Sequence, residues 1–276
     1  MKKWFAVIGD PIAHSKSPAM HNAWFEEMNI DATYIPIHVL PNQLEQAVQS
    51  LRTLGASGWN VTIPHKTAII PFLDDLDELA QKMGAVNTVV RQEDGTLKGY
   101  NTDGVGFVRS LEEAVGTKHK DRAVLIIGAG GAARGIAFAM QKYGYQHITI
   151  ANRTVANAQS IVGEMGSGQA ISLEQAEQTL DQFGLFVQTT PAGLVNGEFS
   201  LPFELKKMSA GAIAADIVYN PLMTPFLLAA KEQGAVIVNG LGMFVHQGAI
   251  AFEYWLKQSP NTNSMIATLT AQLGGQ

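Results

Sequence analysis

Residues 123–133 read Ala123-Val124-Leu125-Ile126-Ile127-Gly128-Ala129-Gly130-Gly131-Ala132-Ala133. A short apolar run ends in the pattern G-x-G-x-x-A, and a helical pattern follows to Tyr143, where Gly144 stops it. A buried strand, a glycine turn and a helix in this order form a dinucleotide-binding fingerprint. Gly128 permits the tight turn, Gly130 lets a pyrophosphate approach the backbone, and Ala133 allows close helix–strand packing. The free N–H groups of the helix N-terminus then face the phosphates. The pattern alone also describes a plain packing turn. The flanking strand and helix favour nucleotide binding.

From this centre a βαβ rhythm extends in both directions. Strand His147–Ala151 precedes helix Val155–Met165, and Leu185–Thr189, Ala212–Val218 and Ala235–Val238 are further apolar strands. Strands separated by helices of this length imply a parallel sheet covered on both faces. Upstream, Trp4–Ile8, Thr33–Ile37 and Gly58–Ile63 read as strands, the second near an edge because of Pro36. Ser17 reads as the N-cap of a helix over Ala19–Met28. Asn42 with Glu45 resembles a capping box, before a face of Leu44, Ala47, Val48, Leu51 and Leu54. Leu76, Leu79, Ala80 and Met83 form another stripe, closed by Gly84. Glu93-Asp94-Gly95 between two apolar runs signals a hairpin. Helices close the chain over Phe244–Leu256 and Met265–Leu273.

The fold class is therefore α/β in two domains. Residues 1–103 form an N-terminal α/β domain and residues 104–240 a Rossmann-type doubly wound domain. The helices of 241–276 are expected to pack back on the first domain. The chain has 276 residues, which alone suits one large domain or two moderate ones.

Composition removes several function classes. With no cysteine there is no disulfide, thiolate metal site or thiol nucleophile. A net charge of −5 argues against nucleic acid or a polybasic membrane contact. The apolar run after Lys2-Lys3 is too short for a signal peptide, and no stretch approaches a membrane span. A soluble cytoplasmic protein is expected. The seven histidines show no helical ligand pair, so no metal is expected. Neither a G-x-S-x-G elbow nor a Walker A motif occurs.

The end of the second strand of the doubly wound domain chooses the nucleotide. An acidic residue there would bind the ribose 2′-hydroxyl of NAD. This chain has Asn152-Arg153-Thr154 instead. Arg153 can pair with a 2′-phosphate and Thr154 can donate to it, which favours NADP. In the first domain Ser15, Ser17, Thr62 and Lys66 follow strand ends, and Asp103 sits at the domain junction. Ligands of open α/β sheets bind beyond such ends and in clefts between domains. Taken singly, Ser17 is explained by capping and Lys66 by solvation.

Together these stretches resemble the shikimate dehydrogenase family. The resemblance lies in Ser15-Lys16-Ser17-Pro18 with His21-Asn22, Asn60–Lys66, Gly84–Thr88 and Asn101–Phe107. It continues in Gly128–Ala133, Asn152-Arg153-Thr154, Asp216–Pro221 with Thr224-Pro225, Asn239–Met243 and Gln247-Gly248-Ala249. These run in the family's order from about Gly9 to Trp255. The resemblance implies NADPH-dependent interconversion of 3-dehydroshikimate and shikimate, a step of chorismate and aromatic amino acid biosynthesis. It implies that Ser15, Ser17 and Tyr219 hold the substrate carboxylate, and that Thr62, Asn87, Asp103 and Gln247 hold the ring hydroxyls. Lys66 is implied as the acid–base group with Asp103 beside it. The cofactor set is Gly128, Ala129, Gly130, Gly131, Ala132, Asn152, Arg153, Thr154, Asn157, Ile217 and Gly240, the last near the nicotinamide with Ile217.

One departure stands out. Family members often carry a second basic residue shortly after Asn-Arg-Thr, where this chain has only Asn157. A weaker NADP preference is expected. Three other readings remain open. One is a quinate/shikimate dehydrogenase of broader specificity, and one a non-catalytic NADP-dependent sensor on the same fold. The third is a Rossmann-type methyltransferase, disfavoured by Arg153 where an acidic ribose-binding residue is expected. Lys66 with Asp103 speaks against the sensor, which needs no proton donor. The partners expected are a small molecule only, with the chain a monomer or homodimer.

Overall fold

A computed structural model describes residues 2–191 and 203–274. The chain separates into two compact units. The first runs to Thr102 and includes Gln247–Met265, and the second comprises Asp103–His246 with the chain from Ile266. Asp103 and residues 241–246 thus count with the second unit, as does the chain beyond Met265.

The first unit contains strand β1 (Lys3–Gly9), helix α1 (Ser17–Glu27), strand β2 (Ala32–His38), helix α2 (Leu44–Thr53) and strand β3 (Gly58–Val61). The single-turn helix α3 (His65–Ala68), strand β4 (Asp75–Leu76), helix α4 (Glu78–Met83) and hairpin strands β5 (Thr88–Arg91) and β6 (Leu97–Tyr100) follow. The sheet order is β2-β1-β3-β5-β6-β4, so Pro36 does lie on an edge strand. β1 is parallel to β2 and β3, so the chain leaves both β1 and β3 at the same edge. Side chains of Ala6, Ile8, Val48, Leu51, Trp59, Val61 and Val89 fill the core on one side.

Four local expectations are corrected. Ser17 is not an N-cap: Lys16 holds that position without a side-chain bond, and Ser17 is already helical. Asn42 makes no capping box, because Pro41–Gln43 take a 3₁₀ turn and Gln43 caps α2. Leu54 stands 71% exposed, because α2 ends at Thr53 and leaves it off the buried face. Leu76 belongs to β4, paired with Gly99 of β6, rather than to the stripe of α4.

The second unit starts with α5 (Asp103–Val115), then β7 (Val124–Ile127), α6 (Gly131–Lys142), β8 (Ile148–Ala151) and α7 (Val155–Met165). β9 (Gln169–Ile171), α8 (Leu173–Gln178), β10 (Leu185–Gln188), β11 (Ile213–Asp216), α9 (Pro225–Glu232) and β12 (Val236–Val238) complete it. All its strand pairs are parallel, in the order β12-β11-β10-β7-β8-β9. The order reverses between β7 and β10, the switch point where doubly wound folds bind ligands. β7, β8, β10 and β11 are buried throughout, as a sheet covered on both faces requires. α5 lies against α6 so closely that a Cβ on Gly104 would sit 2.2 Å from the Gly135 carbonyl oxygen.

Two further helices, α10 (Leu241–Leu256) and α11 (Thr262–Gln272), each contribute to both units. In the first unit, Trp255 of α10 stacks on Phe5, with ring centroids 4.8 Å apart, and its Nε1 donates to the Val89 carbonyl at 2.9 Å. No helix among the described residues is long and apolar enough to cross a membrane.

Candidate functional site

In the first unit the candidate residues gather beyond the ends of β1 and β3. Thr62 is fixed by its N–H, which donates to the Ile8 carbonyl at 3.0 Å. A Cβ on Gly9 would lie 2.4 Å from Thr62 Cγ2, so only glycine lets Thr62 cross this strand end. Ser15 Oγ accepts from the Ser17 N–H at 3.3 Å, which orders the entrance to α1. Lys66 is half-buried on α3. That turn is tied down where the Val86 N–H donates to the Lys66 carbonyl at 2.8 Å. His65 Nε2 lies 2.7 Å from the Val39 carbonyl and anchors the same turn.

Asn87 is 3% exposed and belongs to a buried polar network. Its Oδ1 accepts from the Thr102 N–H at 2.8 Å and from Thr88 Oγ1 at 2.9 Å. Its Nδ2 donates to Thr102 Oγ1 at 2.9 Å. Asn60 backs it: Nδ2 donates to the Asn87 carbonyl at 3.1 Å, and Tyr34 OH donates to Asn60 Oδ1 at 2.7 Å. Thr102 is thereby fixed immediately before Asp103, the first residue of α5. Gln247 is half-buried and counts with this first unit.

His21, next to Asn22, serves packing. Its ring stacks on Tyr34 at 4.4 Å and 8° and meets Trp24 edge-on at 5.4 Å. It is fully buried, and neither ring nitrogen has a hydrogen-bond partner among the described residues. Burial holds its pKa down at about 3, so it stays neutral.

In the second unit a pocket of about 370 Å³ opens at the switch point. Gly128, Ala129, Gly130, Asn152, Arg153, Thr154 and Asn157 line it, with Ile127, Leu173, Thr189, Thr190 and Pro191. Gly128 has φ +109, and a Cβ there would lie 2.6 Å from Thr189 Oγ1, so both conformation and space require glycine. At Gly130 and Gly131 a Cβ would meet nothing within 4 Å. Gly130 caps α6 without a side-chain bond. Gly131 and Ala132 open that helix rather than line the pocket. Arg153, Thr154 and Asn157 are exposed on the pocket rim. An open glycine turn at the start of a 12-residue helix, with a cationic rim and no carboxylate lining, suits a phosphorylated dinucleotide.

Ile217 and Gly240 are neighbours: a Cβ on Gly240 would lie 2.2 Å from the Ile217 carbonyl oxygen. Tyr219 falls in the second unit, stacked on Phe244 at 4.9 Å. Burial pushes its phenol pKa up. Thr189, Thr190, Pro191 and Leu173 were not singled out from the sequence. A usable signal was present, because Thr189 and Thr190 follow a third strand at the same sheet edge as Gly128 and Asn152. Among the described residues no cluster of His, Asp or Glu is disposed to hold a metal.

Three family models match the chain. They are the shikimate dehydrogenase substrate binding domain over residues 7–89, shikimate/quinate 5-dehydrogenase over 110–195, and the shikimate 5′-dehydrogenase C-terminal domain over 240–270. The chain is 74% identical to the shikimate dehydrogenase (NADP(+)) of Lysinibacillus sphaericus, with each covered completely. Among solved structures, the shikimate 5-dehydrogenase of Listeria monocytogenes with shikimate and NAD is 36% identical with TM-score 0.91. That match covers 97% of this chain and 96% of the other. The enzyme of Thermus thermophilus with NADP(H) and shikimate is 35% identical with TM-score 0.87, covering 98% and 99%.

Proposed function

The chain belongs to the shikimate dehydrogenase family, and from that premise we propose that it catalyses the reversible, NADPH-dependent reduction of 3-dehydroshikimate to shikimate. The full-length identity of 74% to an NADP-dependent shikimate dehydrogenase carries this reading. The pocket supports the cofactor choice. Arg153 and Thr154 on its rim would hold the 2′-phosphate, with Asn157 beside them. Gly128, Ala129 and Gly130, with the first residues of α6, Gly131 and Ala132, would hold the pyrophosphate. Asn152 lines the same pocket. Ile217 and Gly240 would flank the nicotinamide.

NADPH supplies the hydride that reduces the ketone carbon. The oxygen then needs a proton. The Lys66 ammonium donates it and stabilises the developing alkoxide; in the reverse direction the neutral amine takes it back. Asp103 orients the reacting hydroxyl and holds its share of the ring, with Thr62, Asn87 and Gln247 on the other hydroxyls. Ser15, Ser17 and Tyr219 hold the carboxylate. The network through Tyr34, Asn60 and Thr102 holds the Asn87 amide in one orientation. The enzyme acts in the cytoplasm, in chorismate and aromatic amino acid biosynthesis, as a monomer or homodimer.

NADPH consumption followed by absorbance with 3-dehydroshikimate tests the reaction. Lys66→Ala is expected to lower kcat on the order of 10²–10⁴-fold while moving KM little, since the proton matters in the transition state. No turnover by the wild type defeats the reading, and an unchanged kcat in Lys66→Ala removes that residue from its role. A parallel assay with quinate and NADP⁺ separates a strict shikimate enzyme from a broader one.

A further inference from the structure

Asp216 ends β11 and is 1% exposed. Both carboxylate oxygens are engaged inside the second unit. The Val218 N–H donates to Oδ1 at 3.0 Å, and the Thr224 hydroxyl donates to Oδ2 at 2.7 Å. Thr224 in turn caps α9, its Oγ1 accepting from the Leu227 N–H at 3.3 Å. One carboxylate therefore joins the two ends of the segment from Ile217 to Thr224. The neighbouring backbone completes the frame. The Ile217 N–H donates to the Gln188 carbonyl at 3.2 Å, and the Gly240 N–H donates to the Val218 carbonyl at 3.0 Å.

A buried carboxylate is a costly way to hold a turn, since burial disfavours its charged form. Burial pushes the Asp216 pKa up to about 6, although the Thr224 hydroxyl and the backbone N–H groups of Val218 and Ile217 pull the other way. The segment so held carries Ile217 and Tyr219, and its backbone fits under Gly240. We propose that Asp216, acting with Thr224, is a positioning residue that holds Ile217 and Tyr219 in place for the nicotinamide end of the cofactor and the substrate. This rests on the roles proposed above for Ile217, Tyr219 and Gly240.

Calorimetric titration of the full chain with NADP⁺ and with 2′,5′-ADP tests it, because 2′,5′-ADP lacks the nicotinamide. Asp216→Ala and Thr224→Val are each expected to shift the ratio of the two Kd values by about fivefold or more. Their kcat should fall on the order of ten- to a hundredfold, the scale of a reacting group slightly misplaced. Thr224→Ser keeps the hydroxyl and is expected to restore both. Asp216→Asn keeps the shape and the Oδ1 acceptor and is expected to fall between. It also serves as the readout if the alanine variant does not fold. A merely structural role weakens both ligands alike. Equal weakening, or wild-type ratios with unchanged kcat, overturns the proposal. The Kd ratio needs no substrate, so a wild type inactive on 3-dehydroshikimate defeats the proposed reaction while leaving this comparison intact.

Discussion

Replacing His21 with Leu should remove much of the acid sensitivity of the first unit. The imidazole is held neutral, with its pKa near 3 against 6.5 when free. Below 6.5 the unfolded chain takes up a proton that the folded chain refuses. Stability is therefore lost as pH falls through 6.5, and the loss continues until about 3. Between about pH 7 and about pH 5 this single residue accounts for roughly 2 kcal/mol. His21→Leu also loses ring stacking on Tyr34, but that loss does not depend on pH. All four tryptophans, Trp4, Trp24, Trp59 and Trp255, belong to the first unit, so their fluorescence reports its unfolding. Urea titrations of both proteins across this range should show wild type losing about 2 kcal/mol more than the variant. A gap that stays constant within about 0.5 kcal/mol would mean that His21 protonates inside the fold. Its buried aromatic surroundings would then not keep the proton off the ring.

The pocket rim gives a specificity experiment. Arg153→Ala should lower kcat/KM for NADPH on the order of tenfold to a hundredfold, the loss of a charge-assisted contact, with NADH little changed. Asn157→Lys should raise the NADPH-to-NADH ratio by a few-fold, measured in the same assay. Gly104→Ala forces a methyl to within 2.2 Å of the Gly135 carbonyl and should destabilise the second unit by about 1–3 kcal/mol in thermal unfolding. Gly163→Ala is its counterpart. It lies within α7 with nothing inside 4 Å of the added Cβ, and should stabilise by about 0.5–1 kcal/mol. In contrast to His21, Asp216 is held above its free value of 3.8, at about 6. The folded chain there binds its proton more tightly than the unfolded one, so its contribution to stability falls as pH rises through that window. Wild type should therefore lose stability relative to Asp216→Asn between about pH 4 and about pH 6, and a relative gain would reverse the sign.

Much of the architecture is legible in the sequence where one physical signal dominates. Residues 124–127 are apolar throughout and followed by Gly128, and they become a fully buried central strand. Helix α7 spans Val155–Met165 as expected and ends at Gly166 in the left-handed conformation. Signals that depend on one side-chain oxygen transfer poorly. Asn42 has the right spacing for a capping box, yet the turn at Pro41–Gln43 moves the helix start past it. The real capping box, Ser172 with Gln175, lies in a stretch with too little periodicity to stand out. Candidate residues in the pocket are legible because strand ends share one sheet edge. The bonds of Asn60 and Tyr34 are harder to find, because they join residues far apart in sequence, and those of Asp216 because no periodicity marks a carboxylate turned back on Val218 and Thr224.

The first unit is built from two stretches of chain separated by residues 103–246 of the second. Gly58 has no side chain, and a Cβ there would come within 2.2 Å of Trp255 Nε1. The strand bearing Gly58 is therefore shaped around an indole that the ribosome adds nearly 200 residues later. A nascent chain that has finished its first hundred residues holds an open slot along β1, β3 and β5. The sheet of the second unit has all its strands in one continuous stretch, complete at Val238, before Trp255 is added. The first sheet is thus made first and covered last, because the indole that fills it arrives with α10.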